Sequence, residues 1–430
     1  MNHKSVCKLF VLSVLLFTVT TLSAQTTLQR TLEAMPNVQK VEKLESEHFS
    51  EKYVLYVQQP VDYKQSQAGT FSQRVFVMHV GEDRPTVMVT EGYGAAYAAS
   101  PRYTDEVARL INANLIVVEH RYFLKSTPQP VNWDYLTAEN SANDLHRVNQ
   151  MMRTVYPQKW ISTGISKGGQ TVMIYRTFFP NDIDISIPYV GPLCRDVEDG
   201  RHEPFLRDQV GSPEDRAKVL AFQHEILKRR AQMMPLLEKL SSDKGLQFRI
   251  SLEEVYDFSV LEYPFAFWQY GTPVGMIPDL SADNETLFTH WTRISDPGYF
   301  VSESNTSPFF VQAAKELGYY GYDVEPFKGE LTITDAKGYL GRIFLPEDLS
   351  ITFDPTLYHK INNLIKNTDT KFIFIYGEYD PWFAPAAPDP HRPNALYMVV
   401  PQASHRARIG NMPQEMRSQV LDTLNRWLQE

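Results

Sequence analysis

Residues 159–169 read Lys159-Trp-Ile-Ser-Thr-Gly-Ile-Ser-Lys-Gly-Gly169, which predicts a short strand, a tight turn and the start of a helix. The turn contains the pattern Gly-x-Ser-x-Gly, with Ser166 at its centre and Gly164 and Gly168 two residues away on either side. Small residues are needed there because the helix packs closely against the preceding strand. The helix predicted over 170–179 directs the positive end of its dipole toward Ser166. Ser166 is therefore the candidate nucleophile.

An acid and a histidine each follow a later strand. The apolar strand 371–377 leads into Asp380, and the strand 395–400 leads into His405. The long separation between Ser166 and Asp380 leaves room for an inserted domain. The order serine, acid, histidine predicts an α/β-hydrolase fold with a catalytic triad.

Other acids and histidines compete for two of these roles. Glu378 is the local alternative to Asp380, and His120 and His391 are the alternatives to His405. We favour His405 because it follows a strand directly, whereas His391 lies in a proline-rich loop. No spacing of His, Cys or carboxylate residues matches a metal site, and neither a metal nor a cofactor is expected.

Two backbone N–H groups are predicted to bind the oxyanion. One belongs to Lys167, the residue after the nucleophile, whose side chain we expect to point outward as a solvated charge. The alternative is that this side chain aids the oxyanion electrostatically. The second is predicted at Tyr93, in the loop Glu91-Gly-Tyr-Gly94 that follows the central strand 85–90. A plain turn is the alternative interpretation of this loop.

The first 24 residues predict a secretory signal peptide. Lys4 and Lys8 precede an apolar run over 9–17, and Ala24 ends a sequence suited to cleavage. The run is short for a bilayer, so a retained anchor helix is the less favoured alternative. We therefore expect a secreted or periplasmic chain with no membrane span after cleavage.

The composition limits the partners of the chain. Its formal net charge is −9 at pH 7, and no basic cluster offsets this charge, so nucleic acid is not an expected partner. The sequence has two cysteines, and one of them, Cys7, would leave with the signal peptide. The remaining Cys194 cannot form an intramolecular disulfide, so a large core must supply the stability.

The pattern changes from strands to helices between residues 193 and 345. The segment 216–240 predicts one long amphipathic helix, and the segment 251–270 is rich in aromatic residues. We predict a mostly helical cap inserted after the sixth strand, which divides the hydrolase core into 25–192 and 346–430. Such a cap would cover the carboxyl edge of the sheet and restrict the substrates that fit.

Four segments carry a family resemblance: Glu119-His-Arg-Tyr-Phe123, Gly164-Ile-Ser-Lys-Gly-Gly169, Leu261-Glu-Tyr-Pro-Phe-Ala-Phe-Trp-Gln-Tyr270 and Tyr376-Gly-Glu-Tyr-Asp-Pro-Trp382. They resemble the secreted prolyl tri/tetrapeptidyl aminopeptidases, α/β-hydrolase serine peptidases that are distantly similar to Pro-X carboxypeptidase and dipeptidyl peptidase 7. The resemblance implies the same three triad residues. It also implies that peptides are the substrates, and that short, proline-ended peptides are removed from free N-termini.

This activity would require two kinds of binding group. A buried carboxylate would hold the substrate ammonium, and a rigid apolar slot would hold the proline ring. The candidate carboxylates, which we do not rank, are Glu91, Glu253, Glu254 and Glu262. The candidate aromatic residues include Trp268 and Trp382. The alternative is that the carboxylates are solvated and that the aromatic residues form the core of the cap.

Two other functions compete with the peptidase hypothesis. The first is a secreted carboxylesterase or lipase with the same triad, although lipases usually carry a small-residue His-Gly-Gly-Gly loop from which Glu91-Gly-Tyr-Gly94 departs. The second is a non-catalytic binding protein on a hydrolase scaffold. The presence of all three candidate triad residues argues against the second function.

Overall fold

The computed structural model describes residues 25–302, 304–347 and 349–430. The predicted signal peptide, residues 1–24, lies outside the described residues. Within them, nine strands form one sheet in the spatial order β1-β2-β3-β5-β4-β6-β7-β8-β9. The strands are β1 Val38–Leu44, β2 Glu51–Pro60, β3 Thr70–His79, β4 Thr86–Thr90, β5 Asn114–Val118, β6 Trp160–Ile165, β7 Ile185–Tyr189, β8 Lys371–Gly377 and β9 Ala395–Val400.

The sheet is antiparallel at one end and parallel through the rest. Strands β1, β2, β3 and β5 pair antiparallel, and the pairs from β5 through β4, β6, β7 and β8 to β9 are all parallel. Every residue of β4, β5 and β7 is buried, as expected for parallel strands covered on both faces. Because parallel strands end at the same side, the segments after β4, β6, β8 and β9 meet at one carboxyl edge.

Helices cover both faces of this sheet. Helices α2 and α13 pack on one face, and α1, α3, α4 and α12 pack on the other. The helices of the described residues are α1 Thr27–Glu33, α2 Glu106–Ile111, α3 Ala138–Met152, α4 Lys167–Phe178, α5 His202–Pro204, α6 Pro213–Lys228, α7 Arg230–Lys244, α8 Leu252–Gln269, α9 Asn284–Ile294, α10 Ser307–Gln312, α11 Tyr339–Phe344, α12 Thr356–Asn367 and α13 Gln414–Gln429.

Helices α5 to α11 form an insertion between β7 and α12. The insertion follows the seventh strand and not the predicted sixth, because residues 38–60 form two antiparallel strands, β1 and β2. The single helix expected over 216–240 is also wrong. The chain leaves the helical conformation at Arg229, where φ is −91° and ψ is 17°, and the segment forms α6 and α7.

A core of aromatic residues holds the inserted helices together. One cluster of buried residues joins Tyr256, Phe258 and Tyr263 of α8 to side chains from the other inserted helices, and it extends to Trp382 after β8. The insertion therefore shares its core with the carboxyl edge of the sheet. No helix in the described ranges is both long enough and apolar enough to cross a membrane.

Candidate active site

Ser166 occupies a strained turn between β6 and α4. Its φ is 60° and its ψ is −123°, in a region of positive φ that residues other than glycine rarely adopt. A Cβ on Gly164 would lie against the Gly168 carbonyl and 2.8 Å from the Thr90 oxygen, so only glycine allows the close approach of helix and strand. The backbone therefore forms the exposed serine turn that the Gly-x-Ser-x-Gly pattern predicts.

Asp380 and His405 form a hydrogen-bonded pair at the same edge of the sheet. Nδ1 of His405 lies 2.6 Å from Oδ2 of Asp380, whose side chain is fully buried. The other oxygen of Asp380 accepts a hydrogen bond from the Trp382 backbone N–H at 3.1 Å. Nε2 of His405 is buried and has no hydrogen-bond partner in the described chain. A neutral imidazole held in this way keeps Nε2 free to accept a proton.

The competing residues lie in other environments. Glu378 is exposed and accepts a hydrogen bond from the Gln402 backbone N–H at 2.7 Å. The side chain of His391 is 84% exposed. His120 is buried, and its Nδ1 donates to the Arg121 carbonyl at 2.8 Å. None of these three residues takes part in the hydrogen bond between Asp380 and His405.

A cavity of about 300 Å³ lies between the carboxyl edge and the inserted helices. The core contributes Ser166, Lys167 and Tyr93 to its lining, and α8 contributes Glu262 and Gln269. The backbone carbonyl of Gln269 accepts a hydrogen bond from the His405 N–H at 3.1 Å. This bond attaches the histidine loop to the helix that carries Glu262. The rest of the lining includes the charged residues Arg293 and Asp296 and the aromatic residues Tyr270, Tyr299, Phe309, Tyr319, Tyr320 and Trp382.

Glu262 is a buried carboxylate in the wall of this cavity. Its side chain is only 7% exposed, and its Oε2 accepts hydrogen bonds from the hydroxyls of Tyr320 at 2.9 Å and Tyr322 at 2.8 Å. Burial raises the pKa of Glu262 to about 7, and the two tyrosine hydroxyls oppose this rise. A cationic group entering the cavity would favour the ionised form of this carboxylate.

The structure separates Glu262 from the other candidate carboxylates. Glu253 is exposed in the first turn of α8. Glu254 completes a capping box with Ser251 and pairs with Arg342. Neither Glu253 nor Glu254 lines the cavity, which corrects their assignment as substrate ligands.

Glu91 and Trp268 also lie outside the lining of the cavity. Glu91 is half-buried and accepts a hydrogen bond from the Tyr97 hydroxyl, and burial raises its pKa. It lies beside the loop of Tyr93 but does not line the cavity. Trp268 lines a separate groove of about 370 Å³ between α6 and α8, which corrects its assignment to the substrate slot. Of the two candidate tryptophans, only Trp382 lines the cavity with Ser166.

The side chain of Lys167 is placed differently from the expectation. The side chain does not point into solvent. The residue is 2% exposed, and its Nζ donates a hydrogen bond to the Gly92 carbonyl at 2.6 Å. Burial lowers the pKa of Lys167 to about 7. In the same loop, the carbonyl of Tyr93 accepts a hydrogen bond from the His120 N–H at 3.1 Å, which fixes the backbone beside the cavity.

Two buried ion pairs lie in and beside the Glu119–Phe123 segment. Arg74 pairs with Glu119, and Arg121 forms two hydrogen bonds with Asp144 at 2.7 and 2.8 Å, all within buried surroundings. These pairs satisfy the charges of the Glu119–Phe123 segment internally. This segment therefore shapes the loop beside the site and leaves substrate contact to other residues.

Sequence reasoning missed the tyrosines that surround Glu262. Tyr319, Tyr320 and Tyr322 come from the segment after α10, and the first two line the cavity. The dense run Gly318-Tyr-Tyr-Gly-Tyr322 was the signal available in the sequence. This run does not by itself indicate which residue the tyrosines contact, because Glu262 lies about 60 residues earlier, on α8.

Comparisons with known proteins identify the family of this chain. The chain matches the family model for PS-10 peptidase S37 over residues 25–427. It is 31% identical over 336 residues to a prolyl tri/tetrapeptidyl aminopeptidase of Streptomyces mobaraensis, a match that covers 76% of this chain and 69% of the relative.

Solved structures with lower identity include two hydrolases. A proline iminopeptidase of Mycobacterium smegmatis is 14% identical, with 83% of this chain and 96% of that chain covered and a TM-score of 0.37. An esterase of Pyrobaculum calidifontis is 12% identical, with 93% and 87% covered and a TM-score of 0.34. The family match and the aminopeptidase relative cover most of the chain, which therefore belongs to the S37 family and is a serine peptidase of the α/β-hydrolase type.

Proposed function

We propose that Ser166, His405 and Asp380 cleave the peptide bond through an acyl-enzyme. The Ser166 Oγ attacks the scissile carbonyl carbon while Nε2 of His405 takes the hydroxyl proton. The tetrahedral intermediate then breaks the C–N bond, and His405 returns the proton to the leaving amine. Water releases the acyl group by the same route, with His405 again acting as the base. Asp380 orients the imidazole through the bond to Nδ1.

The negative charge of the intermediate would be bound by the backbone N–H groups of Lys167 and Tyr93. Lys167 is the first residue of α4, so its N–H lies at the positive end of that helix. Tyr93 lines the cavity from the loop after β4. Losing one donor of this kind typically costs about 2.7–4 kcal/mol of transition-state stabilisation.

We further propose that the enzyme releases short, proline-ended peptides from free N-termini. The observation that carries this proposal is Glu262, a buried carboxylate in the wall of the cavity that contains Ser166. It would pair with the substrate ammonium, and the aromatic surfaces of Trp382 and Tyr319 would hold the proline ring. The name of the 31% identical relative supports the same specificity.

Three substrates would test this specificity. We expect rapid release of p-nitroaniline from Ala-Ala-Pro-p-nitroanilide, little release after acetylation of its N-terminus, and slow hydrolysis of p-nitrophenyl butyrate. Mass spectrometry of the products from a longer proline-containing peptide would give the length released. Equal cleavage of the free and acetylated peptides would refute the aminopeptidase assignment. Preference for the butyrate ester would favour the esterase alternative.

We also propose that the chain is exported and then cleaved after Ala24. The support is the sequence of residues 1–24, with two lysines, an apolar run and small residues before the cleavage point. N-terminal sequencing of the protein from culture medium and periplasm should give Gln25 as the first residue. A protein that retains Met1 in the cytoplasm would contradict this proposal.

A further inference from the structure

The side chain of Lys167, the residue after the candidate nucleophile, is buried against the Gly92 loop. A Cβ on Gly92 would lie 2.6 Å from both Cβ and Cγ of Lys167, so the lysine stem packs directly on the backbone of the Gly92 loop. The Nζ group reaches the Gly92 carbonyl at 2.6 Å. It also lies 5.7 Å from the centre of the Tyr93 ring and 5.5 Å from that of Phe123. These contacts place Nζ between the Gly92 carbonyl and the rings of Tyr93 and Phe123.

This position is unfavourable for stability. Burial disfavours the charged form of Lys167, and attraction to Glu91 and Glu316 compensates for it only partly. A cation in the first turn of α4 also opposes the helix dipole. An apolar side chain would fill the same space without these costs. A lysine here therefore points to a role in the reaction.

The hydrogen bond to Gly92 acts on a particular peptide group. The carbonyl of Gly92 and the N–H of Tyr93 belong to the same planar, resonant amide. A charged donor at the carbonyl oxygen draws electrons toward that oxygen, which makes the N–H on the other side a stronger donor. The same bond constrains the plane of the peptide that carries the Tyr93 N–H, a group that also lies within reach of the Glu91 carboxylate.

We propose that the Lys167 side chain positions and polarises the Gly92–Tyr93 peptide so that the Tyr93 N–H serves as the second oxyanion donor. Lys167 would thus supply one donor through its own backbone and hold the other through its ammonium. This inference rests on the peptidase mechanism proposed above. Lys167 acts here as a positioning residue, because its side chain works through the Tyr93 peptide.

The test compares Lys167→Met with Lys315→Met. Lys315 is a matched control because its Nζ also donates to a backbone carbonyl, that of Trp133 at 2.7 Å, and it does not line the cavity. With Ala-Ala-Pro-p-nitroanilide, Lys167→Met should lower kcat roughly 10- to 100-fold, somewhat less than deletion of a whole donor. Its KM should stay within about twofold of the wild-type value. Lys315→Met should keep kcat within about twofold.

A second measurement separates positioning from a general structural effect. A proline-ended peptide aldehyde forms a tetrahedral adduct with the serine, whereas the released product peptide does not. Lys167→Met should weaken aldehyde inhibition by about the same factor as kcat and leave product binding unchanged. An unchanged kcat, a rise in KM alone, or equal weakening of aldehyde and product binding would overturn the inference.

Two further variants keep the result interpretable. If thermal unfolding shows that Lys167→Met is not folded, Lys167→Leu, which also lacks a donor, is judged by the same criteria. Ser166→Ala tests the underlying mechanism separately. Turnover that persists in Ser166→Ala would refute the proposed function itself. Loss of turnover there, together with a normal kcat in Lys167→Met, would refute only the role of the lysine.

Discussion

The carboxyl edge of the sheet and the inserted helices form opposite walls of one cavity, and they contribute different kinds of group. The sheet edge supplies Ser166 after β6 and the hydrogen-bonded Asp380–His405 pair after β8 and β9. The insertion supplies Glu262 and a set of tyrosines. Under the proposed mechanism the first wall performs the reaction and the second selects the substrate. Changes to the two walls should therefore affect kcat and KM separately.

The largest effect is expected at the nucleophile. Ser166→Ala should lower kcat by roughly 10⁶-fold, because no other group replaces the attacking oxygen. Binding of a product peptide, measured by calorimetry, should remain close to wild type, since both walls stay in place. Thermal unfolding should confirm that the variant is folded. A variant that keeps peptidase activity would show that the sheet edge does not perform the chemistry.

A smaller loss is expected from Asp380→Asn. The amide can no longer hold His405 in the required tautomer, so kcat should fall by about 10⁴-fold with little change in KM. Glu378→Gln is the matched control, because Glu378 lies two residues earlier and is exposed. Its kcat should match that of the wild type. Equal losses in both variants would indicate a disturbed loop and not a lost triad residue.

On the opposite wall, Glu262→Gln should raise KM and leave the acetylated substrate unaffected. Losing one charge-assisted interaction costs about 1.5–3 kcal/mol, which corresponds to roughly 10- to 150-fold in KM for free N-termini. Glu254→Gln is the control, since Glu254 lies on the same helix but pairs with Arg342. A lower kcat with an unchanged KM in Glu262→Gln would contradict the assignment of substrate binding to the inserted helices.

The smallest expected effect is a pH dependence of KM. Because burial raises the pKa of Glu262 to about 7, this carboxyl is neutral below that pH and ionised above it. The substrate ammonium loses its proton near pH 7.7–8.0. KM should therefore be lowest between about pH 7 and 8 and rise several-fold toward pH 6. The rise on the acid side should disappear in Glu262→Gln, and its persistence there would assign it to another group.

Local sequence rules predicted the sheet-edge wall well. The glycines around Ser166 and the pattern of each strand are properties of short segments. The turn at Ser166 and the positions of Asp380 and His405 after strands could therefore be predicted directly from the sequence. The incorrect predictions concern side chains whose positions depend on tertiary packing. The side chain of Lys167 is buried because it lies on Gly92, a residue 75 positions earlier in the chain.

In the inserted helices, even more of the structure depends on tertiary packing that the sequence does not reveal. The sequence indicated a mostly helical insertion, but it did not show where one helix ends at Arg229. It also offered Glu253, Glu254 and Glu262 of α8 as equal candidates. Only the fold distinguishes them, because contact with Tyr320 and Tyr322 depends on how α8 packs.

The sequence by itself determined the α/β-hydrolase class, the strained serine turn and the chain order of the three candidate catalytic residues. These features depend on glycine positions and strand order, which are encoded locally. Only the tertiary structure decided that Glu262 and Trp382 line the cavity and that Trp268 does not. The physical reason is that α8 is buried on nearly every side from Val255 to Trp268, so no polar stripe marks the face that borders the cavity.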